Sequence, residues 1–312
     1  MTAFQRLCLL ACAVIFGLIV LGGVVRATDS GLGCPDWPRC HGSLIPRWEK
    51  HTLIEYSHRL TASVAGVLVL AVLIGAWRSY RRVPAILYPA ALAFVLIIFQ
   101  AWLGRETVVR ELPEEIVTLH LAIALTTFSV LVTLTAATFA LEHPAPRPAV
   151  GPGFGRLAVL AVATAFLLAL LGAYVAGAGY GLACGGWPLC NGEALPSAGG
   201  ASVQIAYHHR TVALLLGIVL VGLAWLGWRA RAKAPLEATL AGAALALFLV
   251  QSLVGAANVW TRLAAEASAA HLALATLLWL VLAYLNIRVH RLHLLLPLSS
   301  HEAPARLARA PH

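Results

Sequence analysis

Apolar residues in this chain fall into long, nearly unbroken runs, and neither a two-residue nor a 3.6-residue alternation organises them. Eight runs stand out, at roughly 7–25, 61–77, 84–103, 117–140, 157–176, 211–228, 236–258 and 268–287. Each is about the length needed to cross a ~30 Å hydrocarbon core. A segment that is apolar all round and sits in lipid must be a helix, because an open sheet edge would leave backbone groups unpaired. The pattern therefore predicts an all-α integral membrane protein with eight transmembrane helices. The first run is read as a retained helix: it is long, and the segment after it belongs to an internal repeat.

Composition agrees. Hydrophobic residues make up 60% of 312 residues and charged residues 11%, well under the quarter or so of a soluble domain. With the N-terminus inside, thirteen of the twenty-two bases lie on the cytoplasmic side, among them Arg78, Arg81, Arg82, Arg229, Arg231 and Lys233 in two short turns. This places the protein in the cell membrane with both termini cytoplasmic. The net charge of +9 is accounted for by bases beside anionic headgroups and calls for no nucleic acid.

The chain repeats itself. Cys34, Trp37, Pro38, Cys40 and Gly42 recur as Cys184, Trp187, Pro188, Cys190 and Gly192; then His58, Arg59, Gln100, Gly104 and His120 recur as His209, Arg210, Gln251, Gly255 and His271. Four helices per copy keeps both copies in the same orientation, so the prediction is two tandem four-helix bundles related by a pseudo-two-fold along the membrane normal. The units are 1–141 and 156–290, joined by a Pro-rich cytoplasmic linker at 142–155, whose stretch 142–153 should not be helical, and followed by a tail at 291–312.

In this arrangement His58 and His120, on helices 2 and 4, sit at equal depth near the outer surface, as do His209 and His271 on helices 6 and 8. Ionisable groups at membrane depth are functional by default. Imidazole pairs from facing helices, with no third ligand in the second copy, suit haem iron better than tetrahedral zinc. His208 aligns with Ser57, so His209 is the expected ligand. Arg59 and Arg210 either meet haem propionates or snorkel to headgroups. His41, His51, His143, His290, His293, His301 and His312 have no counterpart in the repeat and are read as solvated.

Four cysteines form two C-x5-C loops on the outer, oxidising side, predicting the disulfides Cys34–Cys40 and Cys184–Cys190. Each loop would staple a lid over a histidine pocket or pass electrons as thiols. A metal site from Cys34, Cys40 and His41 is disfavoured by Asn191 in the second copy. Trp37 and Trp187 suit the interfacial aromatic belt, and Cys8 and Cys12 are read as buried apolar groups. Glu106, Glu111, Glu114 and Glu115 read as a solvated acidic loop.

The two copies differ at one telling place. "IEYSHR" at 54–59 carries Glu55 where "IAYHHR" at 205–210 carries Ala206. Three residues before His58, Glu55 lies on the same helix face. One pocket with an acid and one without suggests that one does chemistry and the other holds a cofactor. The competing reading has Glu55 marking the water boundary and pairing with Arg59.

The segments "GLGCPDWPRCHG", "EYSHRLTA" and "HLAIALTT", with "GLACGGWPLCNG", "YHHR" and "HLALAT", resemble the signature segments of haem A synthases of the cysteine-bearing type, over about residues 5–290. The resemblance implies an oxidoreductase that hydroxylates the C8 methyl of haem O twice and, by dehydration, yields the formyl group of haem A for terminal oxidases. It implies that His58 and His120 face haem O with Glu55 as the essential acid, that His209 and His271 hold haem b, and that the first cysteine pair matters for electron or haem transfer. It also implies encounters with a haem O synthase and cytochrome oxidase assembly factors, and allows a homo-oligomer. Two other readings stay open: a di-haem b electron-transfer cytochrome, quinol dehydrogenase-like, and a non-enzymatic haem carrier.

Overall fold

The chain meets the demand of lipid for internally satisfied backbone with eight helices and no strand among the described residues. A computed structural model of the chain describes residues 1–144, 147–196 and 199–291. Its helices are α1 (Ala3–Ala27), α2 (Lys50–Tyr80), α3 (Pro84–Val109), α4 (Glu114–Glu142), α5 (Pro152–Gly177), α6 (Ala201–Ala230), α7 (Pro235–Trp260) and α8 (Ala265–His290). All eight are long and apolar enough to cross a membrane.

The four odd-numbered helices start with devices that need no intrahelical partner for the first amides. Thr2 and Gln5 form a reciprocal capping box at α1. Pro84, Pro152 and Pro235 stand in the first turns of α3, α5 and α7, where a missing N–H costs nothing. Pro152 thus corrects the expectation that 142–153 is non-helical: α4 runs on to Glu142 and α5 begins at Pro152, leaving a shorter connection. His293, His301, His312 and the tail beyond residue 291 lie outside the described residues.

The even-numbered helices α2 and α6 begin well before their apolar runs, at Lys50 and Ala201 rather than 61 and 211. Their first turns are polar on one face and buried on the other: Thr52 and Glu55 are 2% and 3% exposed, and Ala206 is 6% exposed. These extensions carry His58 and His209 and form the seats for the cysteine loops.

α1 packs mainly on α2, α4 and α8, and α5 on α6, α8 and α4; α3 lies between α2 and α4, α7 between α6 and α8, and α4 meets α8. Exchanging α1–α4 for α5–α8 leaves this set of neighbours unchanged. The seam between the halves is therefore built from α1, α4, α5 and α8. Lipid tails are as apolar as leucine, so close packing and interhelical hydrogen bonds hold such a seam. The Trp279 indole donates to the Leu125 carbonyl (3.2 Å) and the Ser129 hydroxyl (3.0 Å), from α8 to α4. Arg26, at the end of α1, donates to the Ala176 carbonyl at the end of α5 (2.5 Å). Within the halves, Gln5 reaches the Thr138 carbonyl (3.2 Å) and Asn286 the Ala158 carbonyl (2.9 Å). An ion pair between buried Glu237 and partly exposed Arg288 (2.8 Å) ties α7 to α8.

Close approach at the seam demands small residues. A methyl group at Gly177 would lie 2.9 Å from Glu114 Cβ and 3.2 Å from its Cα, so α4 would have to move. A methyl at Gly17 would meet open space. Gly177→Ala should lower the thermal midpoint of the detergent-solubilised protein by the equivalent of about 1–3 kcal/mol. Gly17→Ala should leave it unchanged or raise it, because replacing a helix-interior glycine gains roughly 0.5–1 kcal/mol. Equal midpoints for the two variants would rule out a tight α4–α5 contact there.

Candidate functional site

The four histidines singled out in the sequence occupy four equivalent settings. His58 on α2 lies against Gly22 of α1, and His120 on α4 against Gly104 of α3. His209 on α6 lies against Gly172 of α5, and His271 on α8 against Gly255 of α7. In each case the Cε1 corner of the ring leads: a methyl built on the glycine would sit 3.2, 3.3, 3.0 and 3.2 Å from it, respectively. The two rings of each pair also lie within electrostatic reach of one another.

The ring nitrogens are not equivalent. In all four residues Nδ1 is buried and without a hydrogen-bond partner. The Leu168 carbonyl faces the His209 ring and the Gln251 carbonyl faces that of His271, without closing a bond to Nδ1. Nε2 is not among the buried unpartnered atoms and has no hydrogen-bond partner among the described residues, so it is the nitrogen left open. Gln100 donates to the backbone carbonyl of His120 (2.8 Å) and Gln251 to that of His271 (2.9 Å). The same α3 and α7 faces thus hold the second histidine of each pair by a glutamine and, one turn on, a glycine.

His208 is exposed on its side of α6 and turns its ring edge to Tyr207, consistent with the repeat-based choice of His209. Sequence reading did not single out Gly22 and Gly172, although their 150-residue offset is the one that relates the cysteines. It also passed over Thr118, whose buried hydroxyl lacks a partner and whose repeat position is Ala269.

Above the pockets sit the cysteine loops. Both expected disulfides are formed, Cys34–Cys40 and Cys184–Cys190, with Cα separations of 4.6 and 4.5 Å. Cys8 and Cys12 are free; Cys8 is buried, and Cys12 lies 3.4 Å from the Thr135 hydroxyl. Each loop closes with a short antiparallel bridge, Cys40 with Ser43 and Cys190 with Glu193. Its tight turn places His41 at φ 53° and Asn191 at φ 54°. His41 Nε2 meets the Gly33 carbonyl (3.0 Å), and Asn191 Nδ2 meets the Ala183 carbonyl (3.2 Å). His41 therefore does have a counterpart, and the two make the same structural bond. His51 contacts the Ser30 hydroxyl (3.0 Å) and His290 the Gly155 carbonyl (3.2 Å), so these histidines are tied down rather than simply solvated. His143 ends α4, exposed. In the first loop the Asp36 carboxylate accepts from the Gly42 and His41 amides (2.7 and 2.6 Å), and those bonds, that of Gly42 first, hold its pKa below the ordinary value.

Arg59 and Arg210 fasten the loops to the helices. Arg59 donates to the carbonyls of Cys34 (2.5 Å), Asp36 (2.8 Å) and Arg39 (3.1 Å). Arg210 donates to those of Cys184 (2.8 Å), Gly186 (2.5 Å) and Leu189 (2.8 Å). Trp187 meets Trp260 edge-on, and Trp37 is half exposed.

Under the first disulfide lies Glu55. One carboxylate oxygen accepts from the Cys34 amide (2.7 Å) and the other from Arg59 Nε (3.0 Å) and Nη2 (2.5 Å). The pairing with Arg59 is the one the competing reading anticipated, but the group is buried rather than at a water boundary. In the second copy Ala206 packs against Cys184 and Cys190, so an apolar contact replaces the whole network. Glu106 differs from its expected setting as well. It is 7% exposed and paired with Arg105 and with Arg110 (2.9 Å), because the end of α3 buries its side.

Two open imidazole nitrogens in each half form a donor set that would suit a haem iron. Among the described residues no three His, Cys, Asp or Glu side chains converge as a lone metal ion would need.

Residues 5–283 match the COX15-CtaA family, described as cytochrome oxidase assembly protein. The chain is 32% identical over 281 residues to a protein named heme A synthase from Shouchella clausii, covering 88% of this chain and 93% of that one. It is 34% identical over 302 residues to its namesake from Symbiobacterium thermophilum, covering 91% and 95%. With that from Geobacillus kaustophilus it shares 31% identity over 296 residues, covering 93% and 90%. Histidines, glycines and cysteine loops that recur in both halves are thus set in a chain matched almost end to end, and the protein belongs to the COX15-CtaA family.

Proposed function

We propose that this protein is a haem A synthase, an oxidoreductase that converts the C8 methyl of haem O to a formyl group. The observation that carries the reading is the asymmetry of two otherwise matching pockets: a buried carboxylate, Glu55, stands in the first and Ala206 in the second. In this reading His58 and His120 face haem O, and His209 and His271 hold haem b. Haem b would supply a redox centre for moving electrons.

The protein's own groups then have separable tasks. The open Nε2 atoms would hold each haem by its iron. Glu55 holds or moves a proton at its carboxylate. Taking up a proton there would weaken its grip on the Cys34 amide and Arg59, since a neutral acid accepts more weakly than a carboxylate. The stapled loops shield the pocket mouths, and Arg59 and Arg210 pin them down. If both His58 and His120 were to ligate the substrate iron, either one histidine would have to yield or the oxidant would act without binding that iron.

The same reading takes the halves 1–141 and 156–290 as bundles related by a pseudo-two-fold, which the exchangeable set of helix neighbours supports. It puts the cysteine loops on the oxidising side and the basic turns around Arg78–Arg82 and Arg229–Lys233 in the cytoplasm. Delivery by a haem O synthase, contact with oxidase assembly factors and a homo-oligomer are proposed on the family resemblance alone.

The deciding experiment uses a host that makes haem O and lacks haem A. The protein is expressed there and purified, and its extracted haems are separated with mass detection. Haem A or its hydroxylated precursor beside haem b is the expected result. Haem b alone, with haem O available, would favour the electron-transfer cytochrome. Glu55→Ala should keep its haem and lose roughly 10²–10⁴-fold of formyl product; full activity in that variant would remove Glu55 from the chemistry. His209→Ala should lose haem b, and full occupancy there would transfer the ligand role to His208 or another residue.

A further inference from the structure

We propose that Gly22, Gly104, Gly172 and Gly255 are positioning residues for the four histidines, each clearing the space that lets an imidazole bury its Cε1–Nδ1 side on the neighbouring helix and present Nε2 to the pocket. The inference rests on the reading that these histidines ligate haem.

Four independent contacts carry it, one for each histidine. A Cβ at these glycines would stand 3.0–3.3 Å from Cε1, closer than ordinary van der Waals contact, so the ring would have to shift by a few tenths of an ångström. Nδ1 follows next at three of the four positions, 3.8 Å at Gly22, 3.5 Å at Gly172 and 3.7 Å at Gly255. At all four glycines the Cε1 corner of the ring faces the helix, and Nε2 lies farther than Nδ1, at 3.9 Å, where it comes within reach at Gly22 and Gly172. An axial ligand needs its geometry held to about half an ångström, so such a shift matters at these four rings.

The glycines do a second thing. In a helix the side chain of residue i covers the backbone carbonyl of residue i−4. Glycine uncovers it. Leu168 and Gln251, whose carbonyls face His209 and His271, stand one turn before Gly172 and Gly255. Leu18 and Gln100 stand in the same relation to Gly22 and Gly104. When Nε2 binds iron, the ring proton sits on Nδ1 and wants an acceptor that fixes the ring's orientation. At His209 and His271 the uncovered carbonyl is placed to be that acceptor.

The test is made on the full-length, haem-loaded protein, with haem b per chain, the low-spin electron paramagnetic resonance signal and the haem midpoint potential as readouts. Gly172→Ala and Gly255→Ala should retain haem b roughly tenfold more weakly, or keep it with shifted low-spin g-values and potential. Gly22→Ala and Gly104→Ala should leave the haem b signal unchanged and lower formyl product. Gly242→Ala, where a methyl would meet open space, serves as the control and should match wild type in every readout. The pattern separates positioning from folding, because alanine in a helix is otherwise neutral or stabilising. If one of the two variants fails to accumulate in the membrane, the other decides. Wild-type occupancy, g-values and potential in Gly172→Ala or Gly255→Ala, or equal losses in Gly242→Ala, would overturn the proposal. A wild-type protein with no bis-imidazole haem signal, or with one that survives His209→Ala, would instead overturn the haem reading beneath it.

Discussion

Backbone in hydrocarbon has no water to bond, and that constraint orders everything else in this molecule. It makes each crossing a helix and confines irregular chain to the two faces. Side chains that carry chemistry must then project from helices, at depths set by where those helices begin. The early starts of α2 and α6 are the consequence that matters most. Had these helices begun with their apolar runs, His58, Glu55 and His209 would lie in loops open to water. Because the chain is already helical at Lys50 and Ala201, they are held at fixed angles beneath the cysteine loops.

The loops in turn depend on two arginines. A guanidinium presents five donors in a rigid fork, and here the forks are filled by carbonyls of a loop too short to satisfy its own backbone. The disulfide closes the loop covalently, and the arginine joins it to the helix that bears the histidine one residue earlier. Pocket and lid are thereby a single unit in each half. Glu55 adds to the first unit a carboxylate that links the Cys34 amide to Arg59. In the second half Ala206 leaves the disulfide resting on apolar surface. Duplication supplied two matching histidine sites, and a single buried acid distinguishes the first from the second.

Much of this was legible in the residues. Apolar runs gave the helix count, because length and hydrophobicity alone decide whether a segment can cross lipid. Repeat offsets gave the histidines and both disulfide pairings, because duplicated side chains keep their spacing. Other features were hidden. Glu106 looked like part of a solvated acidic loop, and only packing at the end of α3 buries it between two arginines. His41 looked solvated, although the repeat sets it opposite Asn191; only the fold shows that its bond to Gly33 is the same as that of Asn191 to Ala183. Arg59 and Arg210 could be assigned to propionates or headgroups from sequence, but not to carbonyls twenty or more residues away.

The sequence by itself determined that this is an eight-helix membrane protein in two copies, with four histidines, two stapled loops and one acid present in a single copy, since these follow from composition, spacing and repeat. The tertiary structure alone decided which glycine faces which histidine, which ring nitrogen stays open, and that Glu55 lies buried against a disulfide loop. Those facts depend on how neighbouring helices approach across the bundle, and a linear pattern records the spacing along one helix but not the distance to the next.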